Sequence, residues 1–425
     1  MNLRSSLWFI PAVIVAFSVV LGLFLAELGR LIPTLAQSEL PEIFGFSAEG
    51  SRAMLSAIAS SMITVAGVAF SITIVALSLA STQYSPRVLR HFMRDRGNQV
   101  VLGVFVGIFA YCLVVLPLVR GGEEDGYVPA LAVAFAVGLA LLGVACLIYF
   151  IHHVATAIQA SSIIATVAAE THLAIERMFP DTLGEEAEEL PAELRHVHWR
   201  SIPAPASGML QLVNEGALLE AAQTHDVVLR IECEIGAFVV RGQPLVSVNQ
   251  TDGDLTELGP EVTSAFAINR TRTIEQDAGF GLRQIVDVAL RALSPSLNDT
   301  TTAILCINYL ADLLRHVAAR HVASRYRRHD GVLRVIARRP DFSDYLHLAF
   351  DQIRESGAGN AEVVFRLLWA LEIIGSAARS PARRELLARA ARKIESGLAS
   401  RISDGELQAR LGAEAQRVAT GLGRS

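Results

Sequence analysis

Gln276, Asp277, Arg283, Asp287, Arg291, Asn298 and Asp299 form a dense polar set beside apolar neighbours in RTIEQDAGFGLRQIVDVALRALSPSLNDTTTAI (272–304). Arg283, Asp287 and Arg291 recur every fourth position, which puts them on one helical face where opposite charges pair. An exposed ladder of this kind contributes only tenths of a kcal/mol. Three chemistries fit the set, in this order: a buried polar network at a subunit or domain interface, a site for a small anion or nucleotide, and lastly catalysis. Acid–base or covalent catalysis needs a nucleophile beside a base, or paired carboxylates. Neither pattern is recognisable here, so no enzymatic activity is expected. Cys112, Cys146, Cys233 and Cys306 are scattered, without a CxxC pair or metal-ligand spacing. Neither a disulfide framework nor a zinc site is expected, no metal ligands are assigned, and no cofactor is implied.

Downstream lies a basic run. Eight arginines fall between Arg315 and Arg339, among them Arg325, Arg327, Arg328, Arg338 and Arg339, against the single acid Asp330. Read as a basic surface, the run suits anionic lipid headgroups, which attract each cation by about 1 kcal/mol; a salt-bridged subunit contact is the alternative. RNA readers interleave stacking aromatics, and only Tyr326 is present, so nucleic acid is not an expected partner. His152 and His153 stand at the edge of an apolar stretch, where interfacial packing is the commoner role and a metal or pH role the sharper one.

A third set carries hydroxyls. At 100° per residue Ser56, Ser60, Thr64, Gly67, Ser71, Ser78, Ser81 and Thr82 fall within one arc of about 100°, interrupted by Ile74, while Ser61 and Thr73 lie outside it. Such stripes mark close helix packing in a bilayer. They also suit a water-lined path contributed by several subunits, with Ile74 as a hydrophobic gate. The two readings are compatible in an oligomer.

These residues need elements to hold them. Apolar residues make up 52% of the 425-residue chain and charged residues 19%, against about a quarter charged in soluble domains. The excess lies before His152, in four uncharged stretches at about 7–26, 54–80, 100–119 and 128–151. Each is long enough to cross a hydrocarbon core, which needs about 20 residues. The first stretch exceeds a signal-peptide core and lacks a small-x-small cleavage pattern after FLAEL, so it is read as a retained anchor. Arg87, Arg90, Arg94 and Arg96 face only Asp95 in the loop after the second span, whereas Glu27, Glu39, Glu42 and Glu49 crowd the loop before it and RGGEED follows the third. The arginine bias puts the basic loop and both termini in the cytoplasm, in agreement with Arg4. Gly103 and Gly107 form a GxxxG pair that permits a close neighbour.

The rest reads as an α+β cytoplasmic domain. A helical extension is expected over 152–180, running on from the fourth span, then a small β domain over 181–270 opened by the acidic turn GEEAEEL, then a helical domain over 271–425. GAFVVRGQPLVSV (236–248) resembles the half-motif of barrel-sandwich hybrid domains, with Gly236, Val239, Gly242 and Leu245 at the motif positions and GMLQLV (208–213) as partner strand. The resemblance implies a small β-barrel scaffold. The carriers of that fold need an attachment lysine, and 201–250 has none. Two helices separated at Ser294–Pro295 are expected for the polar set, with Asn298, Asp299 or Thr300 capping the second.

TQYSPRVLRHFMRDRGNQVVLGVFVGIFAYCLVVLPLV (82–119), the block at 272–304 and DYLHLAFDQIRESG (344–357) together resemble the predicted bacterial membrane proteins grouped as domain of unknown function 2254. Thr300–Thr301 departs from that pattern after Asn298–Asp299. The resemblance implies a membrane location and shared architecture, and no activity. Together these readings point to a homo-oligomeric inner-membrane protein in the lipid bilayer with a channel-like or transport role. The rival is a non-conducting scaffold or envelope-regulating protein whose cytoplasmic part binds partners or anionic lipid.

Overall fold

The computed structural model describes residues 8–31, 47–83, 95–121, 127–178, 185–187, 197–249, 255–320, 325–398 and 401–424, with 80–83, 185–187 and 424 as backbone only. Arg4, Glu39, Glu42, Arg87, Arg90, Arg94 and the acids Glu123, Glu124 and Asp125, all used in the topology reading, lie outside the described residues. The chain divides into two compact units, 1–162 and 163–425.

Among the described residues, the first unit holds four helices long and apolar enough to cross a membrane: α1 (Phe9–Leu31), α2 (Ala48–Gln83), α3 (Arg96–Val115) and α4 (Ala130–Ala157). Helix α3 is central and packs against the other three. Glycine explains how. A Cβ on Gly103 would stand 2.7 Å from Ile14 Cδ1 and 3.0 Å from the Pro11 backbone, and one on Gly107 would stand 2.7 Å from Ser18 Oγ. The expected GxxxG pair is therefore the seat of α1. On the other side Gly143 of α4 admits the Met62 sulfur and Ile108. Without water to serve them, buried polar groups need internal partners. Tyr111 donates to the Ala132 carbonyl at 2.8 Å, Tyr127 to the Ala26 carbonyl at 2.7 Å, and the Arg52 guanidinium to the Val119 carbonyl at 2.7 and 3.0 Å.

Helix α4 does not run on unbroken. A turn at Ile158–Gln159 separates it from α5 (Ala160–Met178). The Thr156 hydroxyl bonds back to the carbonyls of His152 and His153, both at 3.0 Å, a side-chain contact that competes with the regular ladder.

In the second unit come β1 (Glu185–Ala187), β2 (Arg200–Pro203), β3 (Gly208–Val213), α6 (Glu215–Thr224), β4 (Leu229–Ile231), β5 (Phe238–Val239), β6 (Pro244–Val248), α7 (Leu258–Ser264) and β7 (Phe266–Asn269). They are followed by α8 (Ala278–Ala292), α9 (Thr300–Ala319), β8 (Tyr326–His329), β9 (Val332–Ile336), α10 (Phe342–Gly357), α11 (Ala361–Ala377), α12 (Pro381–Leu398) and α13 (Gly405–Arg424). Gly236 and Gly242 have φ of 85° and 87°, conformations glycine adopts without the Cβ penalty. They turn the chain into β5 and between β5 and β6, as the half-motif requires.

The strands form two sheets, ordered β1-β8-β9-β4-β6-β2 and β5-β3-β7. Leu210 and Val239 of the smaller sheet share one core with Leu229, Leu245 and Val246 of the larger. Among the described residues no ladder closes either sheet into the expected barrel. The larger sheet also takes β8 and β9 from within the stretch read as helical, through a parallel β4–β9 pairing. That pairing joins distant segments and leaves no local periodicity to read. The C-terminal helices pack α9 on α11 and α12 on α13. Asp277, Asp299, Asp341 and Asn360 cap the starts of α8, α9, α10 and α11.

Candidate functional site

Helix α2 has two distinct faces. Leu55, Ala59, Met62, Ala66, Ala69 and Ala76 are buried in the first unit's core. Ser56, Ser60, Thr64, Gly67, Ser71, Ile74 and Ser78 are all exposed. A Cβ at Gly67 would meet nothing within 4 Å, and Ile74 is 48% exposed. The hydroxyl stripe is thus an outward face, and small alanines fill the inward one. Thr64 donates to the Ser60 carbonyl at 2.8 Å. The side chains of Ser81 and Thr82 lie outside the described residues.

At one end of α3, Asp95 accepts from the Gly97 amide at 2.8 Å and pairs with His153 Nε2 at 2.5 Å. Tyr149 stacks on His153 with ring centroids 5.4 Å apart. A Cβ on Gly97 would stand 2.9 Å from His153 Nε2 and 3.2 Å from the Tyr149 hydroxyl, so glycine makes this junction of α3 and α4 possible. His152 is exposed.

The polar set of the second unit separates into three places. Gln276 accepts from the Val213 amide at 3.0 Å. Beside it Asp277, 5% exposed, caps α8 through the Phe280 amide and receives both arms of Arg272, at 2.5 and 3.1 Å. On the flank of α8, Arg283 pairs with Asp287 at 2.8 Å and reaches Gln352 of α10 at 2.7 Å, while Arg291 is exposed. Asn298 and Asp299 lie at an exposed corner. There Asn298 takes φ 47° and Asp299 caps α9, accepting from the Thr302 amide and hydroxyl at 3.0 and 2.6 Å. The Thr302 contacts hold the Asp299 carboxyl below the usual carboxylate range. The expected single network is therefore three separate anchor points.

The basic run is largely answered by acids from elsewhere. Arg327 is 2% exposed and lies 3.7 Å from Glu215, whose other oxygen receives Arg339 at 2.9 Å. Arg334 meets Asp226 at 2.7 Å, and Arg338 bonds Glu234 and the Glu232 carbonyl. Arg328 donates to the Gly331 carbonyl at 3.0 Å, and Arg325 is exposed. Arg327 and Arg339 are internal struts, a correction to their reading as basic surface. A linear count of charge omits partners that folding brings in.

One cluster escaped the sequence reading. His172 and Glu176 of α5 converge with His316 of α9. The legible half was H-x-x-x-E in THLAIE (171–176), an interval that shares a helical face.

Four apolar helices with most of their outer surface uncovered, followed by a mixed unit of helices and two sheets, define a multi-span membrane protein. A family model described as predicted membrane protein (DUF2254) matches residues 4–372, and the chain belongs to that family. Uncharacterised proteins of Mycobacterium bovis and Mycobacterium tuberculosis are each 32% identical over 397 residues, covering 90% of this chain and 74% of theirs. No solved structure matches the chain.

Proposed function

We propose that the chain is a non-catalytic, homo-oligomeric protein of the bacterial inner membrane with a channel-like role, its second span near the axis and both termini cytoplasmic. The observation that carries this reading is the exposed stripe Ser56, Ser60, Thr64, Gly67, Ser71 and Ser78. Hydroxyls gain little from hydrocarbon, whereas an interhelical hydrogen bond contributes about 0.6 kcal/mol and small residues let a second copy approach closely. Water along one edge of the same stripe would serve the hydroxyls equally, with Ile74 as the constriction.

The test combines three measurements on the purified full chain, the first two in detergent. Its mass is expected to be a multiple of the protomer, and cysteines at Ser60 and Gly67 are expected to cross-link between copies. In reconstituted bilayers Ile74→Asp is expected to raise conductance and Ser71→Trp to lower it. A monomer without conductance in wild type and both variants would favour the scaffold reading. In that reading the exposed Arg325 contacts anionic lipid.

A further inference from the structure

We propose that His172, Glu176 and His316 form a binding site for one divalent transition-metal ion, clamping α5 to α9. The site is independent of the oligomeric reading, because all three residues lie within the second unit.

The geometry is that of a partly assembled site. His172 and Glu176 occupy successive turns of α5, with His172 Nε2 3.5 Å from Glu176 Oε1. Zinc takes imidazole and carboxylate ligands at about 2.0–2.2 Å, so neighbouring ligand atoms at tetrahedral angles stand roughly 3.4 Å apart. The α5 pair already meets that edge. The third ligand comes from α9, and one donor atom from each of the three residues lies within 4.8 Å of the others. Binding requires the His316 ring to turn out of its stack on His172 so that its lone pair converges with those of His172 and Glu176.

A second observation points the same way. His316 Nε2 is shielded from solvent and has no hydrogen-bond partner. A buried imidazole nitrogen left without a partner is uncommon and calls for an explanation such as an ion. The two imidazoles are stacked, with centroids 4.1 Å apart and planes at 29°, a contact that metal binding would replace.

The charged groups facing the cluster define the competition. Arg320 Nη2 is 3.7 Å from Glu176 Oε1, and Asp312 lies one turn before His316 on α9. Arg320 is the cation that faces Glu176, a role a bound ion would take over. Two imidazoles and one carboxylate with an open fourth position suit zinc, cobalt, nickel or copper, and suit magnesium and calcium poorly.

The experiment is a titration of tag-free, chelator-treated full-length protein in detergent with Co(II) and Zn(II). Calorimetry and the visible ligand-field absorption of cobalt are the readouts. One ion per chain is expected. His172→Ala and His316→Ala should each lose more than the roughly tenfold to hundredfold that disturbing a supporting contact costs. Glu176→Gln changes an exposed side chain, so it keeps the fold and should weaken binding at least tenfold. Arg320→Gln should tighten binding, which a bystander arginine would not do. Two results would overturn the site: no stoichiometric binding by wild type, or equal binding by wild type and Glu176→Gln with circular dichroism unchanged.

Discussion

Asp277 is held by contacts that act together. It caps α8, takes both arms of Arg272, and presses the pair against the backbone of Gly236, where a Cβ would stand 2.2 Å from Asp277 Oδ2. Gly236→Ala combines that clash with a positive φ, so a loss of at least about 1–3 kcal/mol is expected. Chemical unfolding of the full chain checks it. Gly242 has the same backbone sign with open space around it, so Gly242→Ala should cost less. His316 supplies a pH prediction. Its folded pKa is lowered by burial, then by His172 and Arg320, with Glu176 and Asp312 opposing. The unfolded chain therefore binds more protons in the window below the ordinary imidazole value of about 6.5. Stability is full above that value and falls as acid takes the pH down through the window. Thermal midpoints in chelator should drop more between pH 7.5 and pH 5.5 for wild type than for His316→Gln.

At the scale of elements, glycine selects which helices can touch. The α1–α3 contact rests on Gly103 and Gly107, and the outward face of α2 carries a glycine with empty space around it. Gly103→Leu is expected to destabilise the first unit by about 1–3 kcal/mol through overpacking. Gly67→Leu should leave the single-chain fold unchanged and act only on assembly. Denaturation in mixed micelles reads the first effect and particle mass the second. A drop in fold stability at Gly67 equal to that at Gly103 would contradict the outward assignment of the stripe. In the second unit, β8 and the segment following β9 are tied to α6 by Arg327 and Arg339 converging on Glu215, whose side chain is 10% exposed. These cations hold the sheet to a helix that precedes them by more than a hundred residues.

At the scale of the whole molecule, the arginine bias of the second loop carries the orientation. Reporter tags at residues 37 and 92 are expected to report opposite compartments. The same compartment for both would remove the four-span topology and, with it, an axial second span. The mycobacterial relatives match over 90% of this chain, so a topology established here bears on them as well.

Membrane helices, caps and turns were legible in the sequence because their causes are local. An uncharged run of about 20 residues reads as a span wherever it sits, and Asp299, one of three candidate caps, announces a helix start through its own side chain. Gly236 and Gly242 marked their turns by lacking a Cβ. What joins distant segments was decided by tertiary structure. The partners of the basic run, the parallel pairing of β4 with β9, and the meeting of His172 and Glu176 with His316 arise from packing between remote stretches. Periodicity records which face of an element is apolar, and it carries no record of which face it will meet.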